Sequence, residues 1–130
     1  MSGEYESMSR LDKSALGALP SEVSPPPYLD DDIHIGIVHF GVGNFHRAHQ
    51  AMYVDRLLRT GGARDWAICG IGTLERDGRM QDVLNAQDCL YTLTLRHTDG
   101  SNEVSVIGSM RRVLHAPNDS EAVFDQLVDP

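Results

Sequence analysis

Gly41-Val42-Gly43 stands between the apolar run Ile33 to Phe40 and the segment Asn44-Phe45-His46-Arg47-Ala48-His49-Gln50. Two closely spaced glycines between a strand-like run and a helix start are a common means of bringing backbone against a pyrophosphate. Gly41 can take a conformation that a side chain would oppose, so the chain can turn sharply off the strand. Gly43 lacks the Cβ that would hold phosphate oxygens away, and the first N–H groups of the following helix are free to face an anion. In the G-x-G-x-x-G pattern a third glycine eases helix against strand. His46 occupies that place, so the helix must stand further off or begin at another angle. No lysine follows the glycines, which excludes the GxxxxGK[ST] phosphate loop.

A dinucleotide site of this kind needs a carboxylate near the end of the second strand, about 20 residues past the glycines, to bond the ribose hydroxyls. The first acids beyond Gly70-Ile71-Gly72 are Glu75 and Asp77, with Arg76 between them. Carboxylates there favour NAD, whereas Arg76 could meet a 2′-phosphate and admit NADP. The same residues also suit a solvated turn of mixed charge. His46 and His49 lie three apart, but H-x-x-H lacks the glutamate of the zinc-protease motif and no third ligand has informative spacing, so no metal is assigned. His46 and Arg47 can instead line or brace the glycine loop, with Arg47 suited by charge to a phosphate. His34, His39, His97 and His115 are scattered and read as structural.

The elements that must hold these residues follow from apolar spacing. Ile33 to Phe40 reads as a buried strand. Asn44 is placed to cap a helix running from Phe45 to Leu58, which Gly61-Gly62 stops. Trp66 to Ile71 reads as a second strand and Arg76 to Ala86 as a helix with a Met80, Val83, Leu84 stripe. Leu90 to Arg96 alternates, Asp99-Gly100 marks a turn, and Glu103 to Leu114 is a further β-like run ended by Pro117. Asn118 or Asp119 can cap a last helix through Leu127. This order predicts an α/β, Rossmann-like parallel sheet with an antiparallel addition. A doubly wound sheet calls for another strand after the last helix, so the expected sheet is truncated before it is complete. Residues 1–32, with Pro25-Pro26-Pro27 and Asp30-Asp31-Asp32, are expected to form a flexible arm or surface strap, and 33–130 the partial nucleotide-binding domain.

The chain has 130 residues and a formal net charge of −8, and its arginines are scattered singly apart from Arg111-Arg112. Nucleic acid and anionic membrane surfaces are therefore poor partners. No apolar run reaches the roughly 20 residues of a bilayer span. The acidic N-terminus is unlike a secretory signal, and two isolated cysteines, Cys69 and Cys89, fit reduced thiols in a cytoplasmic protein.

The string GIVHFGVGNFHRAHQAMYVDRLL resembles the N-terminal domain of the mannitol 2-dehydrogenase family, the polyol-specific long-chain dehydrogenases, and His in the third-glycine place is a feature of that family. Residues 66–72, Ala86-Gln87-Asp88 before Leu90-Tyr91-Thr92-Leu93, and Val106-Ile107-Gly108-Ser109 before Ala116-Pro117 extend the resemblance over residues 28–130. It implies oxidation of D-mannitol at C2 to D-fructose with hydride passing to NAD. Hexuronate reductases acting on fructuronate or tagaturonate, and other polyol dehydrogenases, belong to the same family. A non-catalytic nucleotide-binding or interaction fragment is the reading from a different class. The resemblance places the cofactor on Ile37, Val38, His39, Phe40, Gly41, Val42, Gly43, Asn44, Phe45, His46, Arg47 and Ala48. It also implies a monomer, and a catalytic lysine with assisting Asn and His in a C-terminal helical domain expected to be absent here. The sole lysine, Lys13, lies in the acidic leader, so no catalytic residue is assigned.

Overall fold

The computed structural model describes residues 10–130; the first nine residues of the expected leader lie outside the described residues. Three parallel strands form the sheet that carries the site: β2 (Ile35–Phe40), β3 (Ala67–Gly72) and β6 (Met110–His115), in the order β2-β3-β6. β3 is central and buried at every residue, which is why its sequence, AICGIG, is small and apolar throughout. The second sheet has the order β1-β5-β4, with β1 (Val23–Ser24) parallel to β5 (Asn102–Ile107) and β5 antiparallel to β4 (Tyr91–Arg96). This is the expected parallel core with an antiparallel addition.

The run from Glu103 to Leu114 is two strands, not one. It breaks at Gly108-Ser109, and β5 and β6 on either side belong to different sheets. A side chain at Gly108 would be tight, since a Cβ would stand 3.0 Å from Leu29 and 3.1 Å from the Tyr28 hydroxyl. Ser109 is fully buried, and its hydroxyl donates to the Ala51 carbonyl at 2.6 Å. Apolar residues on both sides of the break concealed it in the sequence.

The first helix is also divided. α1 spans Asn44–Ala48 and α2 spans Gln50–Arg59, with His49 between them at φ −122°, ψ −82°. The His49 ring stacks on Phe45 and its Nδ1–H donates to the Phe45 carbonyl at 2.8 Å, a local bond that competes with a continuous helix. α1 is capped by Gly43 rather than Asn44, which is the first helical residue. α3 (Asp77–Ala86) follows β3. α4 (Ser120–Val128) is capped by Asp119, whose carboxylate accepts from the Ala122 N–H at 3.0 Å. Among the described residues no helix is long and apolar enough to cross a membrane.

The core gathers where the helices meet the two sheets, around Ile68, Leu84, Ile107, Met110 and Leu58. Tyr28, from the segment expected to be leader, is part of it at 2 % exposure. Val23–Ser24 pairs with Val104 and Ser105, so residues 23–28 supply both a strand and a core side chain. Cys69 and Cys89 are free, buried thiols, and burial pushes each up to about 11.

Candidate functional site

β2 and β3 run parallel with Phe40 opposite Ile71, so the glycine turn after β2 and the turn after β3 emerge at one edge of the sheet. The carboxyl ends of parallel strands are where open α/β sheets hold ligands. The structure thus brings Gly41–Ala48 and the Glu75–Asp77 turn to the same edge, although the two lie about thirty residues apart in sequence. Ile37 and Val38 are half-buried within β2, and Phe40 is exposed at its end.

Gly41 has φ +118°, a conformation that L side chains rarely adopt, and its N–H donates to the Ile71 carbonyl at 2.7 Å. Val42 turns inward at 3 % exposure. A Cβ on Gly70 would come within 2.8 Å of Val42 Cγ1. The packing of Val42 thus depends on a glycine of β3, one strand away. Gly43 caps α1, and a Cβ built on it would meet nothing within 4 Å. The turn opens onto a cavity of about 280 Å³ lined by His39, Gly41, Gly43, Phe45, His46 and Gln50. A larger cavity of about 360 Å³, lined in part by Lys13, Asp88 and Arg111, shares no residue with this turn.

Arg47 faces the protein's own backbone. Its Nε–H donates to the Val42 carbonyl at 3.0 Å and its Nη2–H to Asn44 Oδ1 at 2.5 Å, while the guanidinium lies over the Tyr91 ring. Tyr91 in turn donates to the Arg47 carbonyl at 2.6 Å. Arg47 and Asn44 thus brace the glycine loop from behind.

His46 is 5 % exposed, stacks on His39 at a centroid distance of 3.8 Å, and finds no hydrogen-bond partner for either ring nitrogen. His39 Nδ1–H donates to the Gly41 carbonyl at 2.9 Å. Burial, then the neighbouring His39, pushes the His46 imidazole down to about 4. Its folded value lies below the ordinary 6.5, so the unfolded chain takes up this proton first. Stability from the neutral ring is complete above pH 6.5 and is lost as pH falls toward 4. The loss is on the order of 2 kcal/mol. Urea unfolding followed from pH 7 to 4 should show this slope, and His46→Phe should flatten it. An unchanged slope in the variant would move the proton uptake to another group.

In the turn after β3, Glu75 is exposed and Asp77 half-buried. Asp77 Oδ2 accepts from the N–H groups of Thr73 at 3.0 Å and Leu74 at 2.9 Å. His115, read from the sequence as structural, bonds the Leu74 carbonyl of this turn through Nε2 at 2.7 Å. It lies opposite Gly72 in the β3–β6 ladder at 2 % exposure, and its signal, one histidine at a strand terminus, has no spacing to reveal it.

The geometry is that of a Rossmann half, and a family model described as the mannitol dehydrogenase Rossmann domain matches residues 35–130. The chain belongs to the mannitol dehydrogenase family. Similar members include the polyol:NADP oxidoreductase of Gluconobacter oxydans, 48 % identical over 92 % of this chain and 25 % of that protein. The mannitol 2-dehydrogenase of Pyricularia oryzae is 50 % identical over 81 % of this chain and 21 % of that protein. A solved Pseudomonas fluorescens mannitol 2-dehydrogenase, in ternary complex with NAD and D-mannitol, superposes with a TM-score of 0.88. It is 43 % identical over 94 % of this chain and 25 % of that structure. The chain spans about a quarter of the length of these relatives. The resemblance carried by the glycine turn is thus a true family relation, and His46 in place of the third glycine is compatible with a mannitol dehydrogenase Rossmann domain.

Proposed function

We propose that this chain is the dinucleotide-binding part of an NAD-dependent polyol dehydrogenase that takes D-mannitol to D-fructose. The observation that carries the reading is the glycine turn, with backbone bent at Gly41 and left open at Gly43, in a domain matched by the mannitol dehydrogenase model. The residues fit the group. A diphosphate needs backbone N–H donors reachable without a side chain in the way, and the helix start after Gly43 leaves such donors unpaired. Bound here, NAD would supply the acceptor for the hydride leaving C2 of the polyol, with the hydroxyl proton going to a general base. Ile37 to Ala48 form the cofactor segment, and Glu75 with Asp77 stand at the ribose end. Lys13, ion-paired to Asp30 at 3.3 Å, is given no part in proton transfer. In this reading the protein works as a monomer in the cytoplasm, and its charge of −8 disfavours nucleic acid and anionic membranes as partners.

Direct titration with NADH tests the reading. Trp66 immediately precedes β3 at the end opposite the turn, roughly 20 Å away by strand rise, so the signal should come from cofactor fluorescence or calorimetry. Saturable binding is expected, and none at millimolar NADH would overturn a working site in this chain. A second measurement concerns cofactor choice. Glu75→Ala should raise the NAD dissociation constant about tenfold, the worth of a charge-assisted hydrogen bond, and change NADP less. If the ratio of the two constants does not move, the ribose is read elsewhere.

A further inference from the structure

Met110 and Arg111 open β6 at the end of the parallel sheet opposite the glycine turn, roughly 20 Å away by strand rise. In the β3–β6 ladder Ile68 faces Met110 and Cys69 faces Arg112, so Arg111 is the extra residue of a bulge. A bulge re-aims a side chain out of the regular alternation. Arg111 lines the cavity of about 360 Å³, whereas its neighbour Arg112 is exposed and donates to Gln126 Oε1 at 2.9 Å. A second wall of this cavity is irregular too. Asp88 and Cys89, in the link between α3 and β4, have φ of +54° and +62°, the left-handed region that favours glycine. Cys89 and Leu90 are buried there, and Asp88 is exposed at the cavity's mouth.

The charges of the lining are not balanced. Lys13 is occupied, since its N–H donates to Asp88 Oδ2 at 2.9 Å and its Nζ pairs with Asp30 at 3.3 Å. Arg111 is half-buried and makes one long side-chain bond, from Nη2–H to the Leu29 carbonyl at 3.3 Å. Among the described residues no carboxylate pairs with it. A guanidinium has five N–H donors in a planar fork, and one held partly out of water with most of them unspent favours an anion. The Cys89 thiol does not take that role. Burial, then the Asp88 charge, outweighs Arg111 and pushes the thiol up to about 11, so it keeps its proton.

We propose that this cavity binds a small organic monocarboxylate with an apolar body, its carboxylate on Arg111 and its body against Leu29, Leu90 and Met110. The carboxylate matches the guanidinium fork in shape and charge. Asp88 at the mouth opposes a second negative charge, which sets a monocarboxylate ahead of a phosphate. A ligand seated here ties the segment before β2, through Leu29, to the start of β6. The inference stands apart from the dinucleotide reading, because no residue of the glycine turn lines this cavity.

The test uses the 130-residue chain with isovalerate as probe and isovaleramide, its uncharged counterpart of the same shape, as comparison. Calorimetry should show saturable isovalerate binding in the millimolar range, with the amide about tenfold weaker. Arg111→Gln should weaken isovalerate about tenfold, whereas Arg112→Gln, which removes the same charge outside the cavity, should leave it unchanged. Asn85→Phe, at an exposed lining position, fills the space and should abolish binding, which decides the matter should Arg111→Gln fail to fold. Equal binding of acid and amide, equal losses in the two arginine variants, or no binding of isovalerate up to about 0.1 M would each overturn the proposal. Retained binding in a folded Asn85→Phe protein would do the same. Displacement of isovalerate by NADH would place the anion at the glycine turn and overturn it as well. A glutamate acetylated and amidated at its ends presents the same carboxylate on a peptide and should bind more weakly than isovalerate. Tighter binding of that peptide would make the occupant a protein segment and overturn the small ligand.

Discussion

Asp55→Ala is expected to destabilise the fold by about 3–5 kcal/mol, the cost of removing one member of a buried, hydrogen-bonded charge pair. Asp55 is 1 % exposed on α2, and its two oxygens serve different parts of the chain. Oδ1 accepts from the Tyr28 hydroxyl and from the Gly108 N–H, the latter at 3.1 Å. Oδ2 accepts from Arg59 Nε at 2.6 Å. The Arg59 guanidinium then reaches Ser24 Oγ at 2.8 Å, the Pro25 carbonyl at 3.0 Å and the Val106 carbonyl at 2.7 Å. One carboxylate therefore joins the segment before β2, the helix after the glycine turn and the link between the two sheets. Removing it leaves the Tyr28 hydroxyl and the Arg59 Nε–H without their acceptor, while the Gly108 N–H keeps only the Tyr28 oxygen at 3.1 Å, in a place where water has little access.

A loss of that size is a large share of the 5–15 kcal/mol available to an ordinary domain. The urea midpoint at pH 7 should fall steeply, and a failure to fold would agree in direction. Tyr28→Phe separates the terms, since it removes one hydroxyl, keeps the core volume and should cost about 1–2 kcal/mol. Burial, then the Asp55 charge, holds the Tyr28 phenol above its ordinary value, so the hydroxyl stays a donor across the working pH range. A loss below about 1 kcal/mol for Asp55→Ala would show that water enters and replaces the carboxylate.

None of this network was legible in the sequence. Asp55 sits in QAMYVDRLLR, where an acid four residues before Arg59 reads as a solvent-facing i,i+4 pair. Its other partners lie 27 and 53 residues away, and no local pattern connects them. Tyr28 was hidden by its neighbours, a lone aromatic between three prolines and three aspartates. The glycine turn was readable because its requirements are local: an apolar run, a positive φ at Gly41 and an open backbone at Gly43. β3 was readable because a strand buried on both faces has to be apolar throughout.

Where the structure departs from these expectations, side-chain contacts had outweighed backbone preference. The helix divides at His49, whose ring bonds the Phe45 carbonyl, and the β-run divides at Gly108, where Tyr28, Leu29 and Pro26 pack close. Val42, within the glycine turn, packs where Gly70 on the neighbouring strand has no side chain. A pattern confined to one segment could not register a fit made on another.

Gly43→Val should separate binding from folding more cleanly than any other change at the site. A side chain at Gly43 meets nothing within 4 Å, and its φ of −76° with ψ of −177° is ordinary extended backbone. The fold makes no use of the missing Cβ there, so stability should drop by less than about 1 kcal/mol, the scale of a changed N-cap. Gly36 and Gly70 differ, because a Cβ on the first would fall 1.9 Å from the Asp65 carbonyl oxygen and one on the second 2.8 Å from Val42. A residue the fold does not need as glycine, in a turn that lines a cavity, is open for what enters the cavity. Valine would hold a diphosphate off the backbone N–H groups, and losing one or two charge-assisted bonds should raise the NADH dissociation constant about 100-fold. The melting temperature and the dissociation constant should be measured on the same sample. An unaltered constant in a folded variant would place the diphosphate away from this turn. A collapsed fold would mean that Gly43 serves the protein's own packing and not a ligand.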